Sequence, residues 1–118
     1  MKANNSFQII GHVGRDAEHT IHEKGNRASF SVAVDASYGS GEQRVEKANW
    51  FNVTAWKNQA DFAGKHVKKG AKVQINGYLN TRKYTPAGAE KEITVIELVA
   101  QEITMLKWAT QPTEAVEA

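Results

Sequence analysis

Five stretches of this chain alternate apolar with polar or small residues at a period of two. That period belongs to strands with one packed and one wet face, because successive strand side chains point to opposite sides. In "SFQIIGHVG", Phe7, Ile9, Gly11 and Val13 share a side, with Ile10 turned the other way. In "ASFSVAVD", Ala28, Phe30, Val32 and Val34 alternate with Ser29, Ser31, Ala33 and Asp35. Residues 48–56 set Phe51, Val53 and Ala55 against Trp50, Asn52, Thr54 and Trp56. In "AKVQINGYLNTRKY", Val73, Ile75, Gly77 and Leu79 oppose Lys72, Gln74, Asn76, Tyr78, Asn80, Arg82 and Tyr84. The last stretch, about Lys91–Leu106, changes phase: Ile93 and Val95 share one face, Ile96 and Leu98 the other. A bulge, or burial on both faces, accounts for such a slip.

One segment, "NQADFAGKHVKKG", reads as helix. Asn58 is placed to cap it, Ala60, Ala63 and Val67 recur at helical spacing, and Gly70 can end it after two lysines. The glycine in its middle argues against a long helix. The polar, Gly-containing "EKGN", "YGSGEQRVEK" and "TPAGAEK" read as hairpin tips. The expected order is three strands, a helix and two more strands. Five short antiparallel strands bury one face most simply by closing into a small barrel with the helix plugging an end, the OB-fold. A sandwich of the immunoglobulin kind needs about seven strands and ranks second.

At 118 residues the chain is expected to form one domain over residues 1–107, followed by a short tail over 108–118. The tail, "ATQPTEAVEA", has no periodicity and is expected to fray and to be dispensable for binding. Trp108 reads as a packing residue or an anchor for it. The sequence has no cysteine, which excludes disulfides and thiolate metal sites. No apolar run reaches the ~18 residues of a membrane span. "MKANNSFQII" is too short and polar for a signal peptide, so the cytoplasm is the expected compartment.

No motif suggests catalysis, and neither a metal nor any other cofactor is expected. There is no Walker loop and no G-x-S-x-G. His19 and His22 form an H-x-x-H pair without cysteines or a helical context, better read as a solvated loop than as a metal site. Asp16 and Glu18 read as turn chemistry. Charge is unevenly spread: residues 1–89 hold 13 Lys/Arg against 7 Asp/Glu, and residues 90–118 hold 2 against 6. A mildly basic body suits a phosphate-bearing partner without requiring one.

The informative feature is the set of aromatics on polar strand faces. By parity Trp50 and Trp56 lie on one such face, and Tyr78, Arg82 and Tyr84 on another, with Tyr38 in the loop before the third strand. Exposed aromatic rings waste burial unless something covers them. A subunit interface could, and so could nucleobases, each of which has a π-face. Interleaving with Lys57, Arg82, Lys83 and the "HVKKGAK" cluster, which includes Lys72, favours nucleic acid.

These pieces are ordered as in a known family. "IIGHVGRDAE", "GNRASFSVAV", "ANWFNVTAWKNQADFAGKHVKKG" and "VQINGYLNTRKYTPAGAEK" together resemble the bacterial and phage single-stranded DNA-binding proteins, from about Asn5 to Leu106. The resemblance implies a five-stranded OB barrel assembled as a homotetramer, or else a dimer. It implies a protein that coats and protects single-stranded DNA in replication, recombination or repair, without catalysis. It also implies base stacking at Tyr38, Trp50, Trp56 and Tyr84, basic contacts from Arg82 and Lys83, and a "G-R-D" turn at Arg15 and Asp16 that is structural as much as DNA-contacting. An accessory primosomal or recombination protein acting mainly through protein contacts is the alternative. Such a protein need not keep four aromatic positions. Family members usually run on to an acidic ending in Pro-Phe. Here "TQPTEAVEA" has two glutamates and no terminal Phe, so recruitment of replication and repair proteins through that ending is not expected.

Overall fold

The computed structural model describes residues 4–109. Its elements are β1 (Phe7–Val13), β2 (Glu18–His22), β3 (Gly25–Asp35), a 3-10 turn at Gly41–Gln43, β4 (Ala48–Trp56), α1 (Lys57–His66), β5 (Lys72–Tyr84) and β6 (Ile93–Lys107). The strands join in the order β1-β5-β6-β4-β3-β2, and β1 also bonds β3, so the sheet wraps back on itself as the expected OB barrel. Residues 110–118 of the expected tail lie outside the described residues.

Six strands stand where five were expected. β1 and β2 pair with consecutive stretches of β3: Val13 faces Val32, and Glu18 faces Ser29. The two behave as one strand interrupted at residues 14–17. β2 escaped the sequence because its one aliphatic residue, Ile21, is 82% exposed, so no apolar alternation marks it. It is held by its ladder to β3 and by His19, whose Nε2 lies 3.0 Å from Asp61 Oδ1 on α1. His19 is thus a strand residue docked on the helix, not part of a solvated loop. Its ring covers Gly64, which explains the glycine in mid-helix. Asp16 acts through a long-range bond: its Oδ1 accepts the Lys69 backbone N–H at 2.9 Å.

The helix begins two residues earlier than the expected cap implies and ends sooner. Trp56, not Asn58, is its N-cap and makes no side-chain capping bond, while Lys57 takes a left-handed φ of 54° to turn the chain out of β4. Val67 is the C-cap, and Gly70 (φ 92°) serves the turn beyond it. Ala60, Ala63 and Val67 are buried, as their spacing requires. They join Ala28, Phe30, Val32, Val53, Ala55, Val73 and Ile75 in the core, so the packed strand faces are the ones parity assigned.

The pairing is not wholly antiparallel. β4 and β6 meet in parallel at Val53–Leu98 and Thr54–Val99. β6 carries a bulge at Gln101, away from the slip a bulge was expected to explain, where Asn76 faces Glu102 but Gly77 faces Ala100. That shift carries the buried phase from Ala100 to Ile103. The earlier slip at Val95–Ile96 has another origin. Residues 80–84 and 93–97 pair only with each other, forming a two-stranded arm beyond the barrel with apolar residues on both sides.

Gly77 sits at the tightest approach in the sheet: a Cβ there would stand 1.8 Å from the Val99 carbonyl oxygen. Gly77→Ala is expected to cost about 3 kcal/mol or more by overpacking, and Val53→Ala about 2 kcal/mol by leaving a cavity. Both are checked by denaturant melts. The docking of β2 has a pH signature. Hydrogen bonds from Asn26 and then His19 hold the Asp61 carboxyl below its ordinary value of 3.8. Its stabilising contribution is full above that value and is lost as pH falls through the lowered one. The melting-temperature gap between the unaltered chain and Asp61→Asn should therefore be constant near neutrality and close below about pH 4.

Candidate nucleic-acid interface

Strand register brings the scattered polar faces together. Across β3 and β4, Arg27 faces Trp56, Ser29 faces Thr54, Ser31 faces Asn52 and Ala33 faces Trp50. Thr54 neighbours Val99 of β6, and Val99 faces Tyr78 of β5. From there Asn80 pairs with Glu97, Arg82 with Val95 and Tyr84 with Ile93. Since alternate residues share a side, one continuous face carries Trp50, Trp56, Tyr78, Arg82 and Tyr84, together with Arg27. On β4, Trp50 is 61% exposed while Val53 and Ala55 are fully buried, so the tryptophans occupy the wet side.

The centre of this face is a groove of about 350 Å³ lined by Arg15, Arg27, Asn52, Thr54, Arg82 and Tyr84, with Glu97 among its walls. The Arg82 guanidinium stands over the Tyr84 ring, 5.4 Å from its centroid, and that of Arg27 over Trp56 at 5.8 Å. Such cation–π pairs keep rings and charges side by side. Trp50 and Trp56 mark the two ends of β4, about 20 Å apart at the ordinary strand rise. The Trp50 ring lies against Gly14, and Trp56 shares a hollow with Ile21, Glu23 and Lys24.

Tyr38 stands beyond the Trp50 end. It is exposed, and its loop is built rather than slack: Tyr38 and Val45 exchange backbone bonds of 3.0 and 2.7 Å, and Ala36 N–H donates to Lys47 O at 2.9 Å. Hydrogen bonds from Ser37, side chain first and backbone second, hold the Asp35 carboxyl below its usual range at the root of this loop. Lys57 follows Trp56 directly, its stem packed beside Gly25.

Three of the basic candidates do not line the groove: Lys57, Lys83 and Lys72. Lys83 pairs with Thr94 and lies on the opposite side of the arm from Arg82 and Tyr84. Lys72 stands at the far end of β5, paired with His12 and Lys107. Arg27 and Glu97, conversely, were not among the sequence candidates. Arg27 extends the alternation of Ser29 and Ser31 by one step, which could have marked it. Glu97 lies where the apolar phase of the last strand breaks down.

Chemically the face offers exposed flat rings and guanidinium groups for anions. The model of the single-strand binding protein family matches residues 4–106. A single-stranded DNA-binding protein of Neisseria meningitidis is 36% identical over 105 residues, covering 86% of this chain and 59% of that protein. The single-stranded DNA-binding protein 1 of Staphylococcus aureus is 31% identical over 100 residues, covering 84% of this chain and 63% of that one. The chain thus spans about three-fifths of the length of these relatives. In fold it is similar to a Plasmodium falciparum SSB solved in complex with ssDNA, at a TM-score of 0.77 and 23% identity over 91% of this chain and 98% of that one. It is also similar to a small single-stranded DNA-binding protein from Streptomyces coelicolor, at a TM-score of 0.68 and 23% identity over 86% and 94%.

The two sides of β4 should respond unequally to truncation. Phe51→Ala, at a half-buried position, is expected to lower stability by about 1–2 kcal/mol, whereas Trp50→Ala should cost less than about 1 kcal/mol. Thermal melts of the two variants check the assignment.

Proposed function

Because this chain belongs to the single-strand binding protein family, we propose that it binds single-stranded DNA by stacking bases on Trp50, Trp56, Tyr84 and Tyr38 while Arg15, Arg27 and Arg82 neutralise phosphates. The observation that carries this reading is the placement of Trp50, Trp56 and Tyr84 on one face around an arginine-lined groove. An aromatic ring accepts any base, so the face favours affinity over sequence preference. In a duplex the bases are already stacked on one another, and the rings have nothing to take. The protein then acts by coating and protecting exposed strands in replication, recombination or repair, in the cytoplasm and without catalysis.

Self-association belongs to the same proposal. Ile10 and Leu106 are large apolar side chains left exposed, as are Leu79 at the root of the arm and Ile96 on it. A homotetramer covers such surface, with a dimer as the smaller solution. An accessory protein working through protein contacts has no use for an open stacking face, so binding of homopolymer single strands separates the two readings.

Titration with oligo-dT, followed by tryptophan fluorescence, should show binding whose log K falls against log salt by about 0.7 per phosphate neutralised. Equal affinity for duplex DNA would refute the reading. Trp50→Ala, Trp56→Ala and Tyr84→Ala should each weaken binding by about 1–3 kcal/mol. Sedimentation at micromolar concentration should give a species larger than a monomer.

A further inference from the structure

Glu97 is the one carboxylate among the residues lining the groove, where it faces three arginines. A negative charge in a groove meant for a polyanion opposes binding, so its position calls for a reason. Its side chain is 16% exposed, with Oε2 standing 3.6 Å from Arg82 Nε, while the Arg82 side chain is 52% exposed. Oε1 accepts a bond from Asn80 Nδ2 at 3.3 Å, which fixes the carboxylate on its strand. The guanidinium it holds is the one lying over Tyr84, 5.4 Å from the ring centroid.

Resting on the single-strand reading, we propose that Glu97 sets affinity by standing in for a phosphate, parking Arg82 on Tyr84 until a strand's own phosphate takes the guanidinium over. Without nucleic acid the carboxylate satisfies Arg82, whose guanidinium covers part of the Tyr84 ring. An ion pair this long and this exposed is weak, so a phosphate can displace it at little cost. The exchange breaks the Glu97–Arg82 pair, and losing that pair lowers affinity and keeps the strand releasable. Glu97 is therefore a positioning residue acting through Arg82, and its removal strengthens binding.

The test is an oligo-dT titration of the full chain at several salt concentrations, with Glu97→Gln, Glu97→Asp, Arg82→Gln and the Arg82→Gln/Glu97→Gln double variant. Glu97→Gln should tighten binding about three- to tenfold at low ionic strength, where the charge is least screened. The log–log salt slope should steepen by up to about 0.7, a change that a purely structural role would not produce. Most of this gain should vanish when Arg82 is already Gln. Glu97→Asp keeps the charge but is one methylene shorter. It should shift affinity in the same direction by less, and it carries the test if the Gln variant fails to fold. Unchanged or weaker binding by folded Glu97 variants would overturn the proposal. So would a full gain that persists without Arg82, which would make Glu97 a bare repulsion. If the unaltered chain does not bind oligo-dT at all, the single-strand reading itself fails and this inference goes with it.

Discussion

The functional face depends on one short contact. β4 and β6 run in parallel and share two registered pairs, Val53–Leu98 and Thr54–Val99. Together with β1, which bonds both β3 and β5, this junction relates the tryptophans of the β3–β4 sheet to the Tyr84 arm of the β5–β6 hairpin. The junction sets both the spacing and the phase. Thr54 and Val99, both buried, lie on the tryptophan side of the sheet, so every alternate residue on either side of the seam shares that side. A slip of one residue would turn Tyr84 and Arg82 away from Trp56. The core supports the seam from beneath, since Val53 is fully buried and Leu98 packs against the same cluster.

Around that seam charge and ring are deployed together. Arg27 stands over Trp56 and Arg82 over Tyr84, so both aromatic stations carry their own guanidinium. Arg15 reaches the groove from the break between β1 and β2, where Asp16 ties that break to the chain beyond the helix. Docking of β2 on α1 through His19 and Asp61 supports the end of the sheet at which Trp56 becomes the helix N-cap. Groove-lining groups thus come from strand ends and breaks as well as from the alternating interior of β4.

Parity alone was enough to read much of this from the sequence. The packed sides of β1, β3, β4 and β5, and the wet side bearing Trp50 and Trp56, follow from period-two alternation because a barrel has only an inside and an outside. β2 did not follow, since it is held by its backbone ladder and by one histidine, neither of which leaves an apolar pattern. The helix cap was misplaced because Asn58 satisfies a local preference that a left-handed Lys57 overrides. The burial partners of the last strand were hidden for a different reason: its bulge and its overhang each shift phase, and a sequence shows only their sum. Lys72, Lys83 and Arg82 look alike in a list of basic residues, and only register separates them.

The overhang has a mechanical consequence. From Asn80 to Tyr84 and from Ile93 to Glu97, each strand has a neighbour on one side only. A ribbon of two strands twists and bends more readily than a closed sheet. Trp50 and Trp56 are fixed to the barrel wall like marks on a rule, whereas Tyr84 rides on a cantilever. The gap between the fixed rings and the moving one is thus the softest dimension of the face. It can change without disturbing the core, because the arm's outer residues pair only with each other.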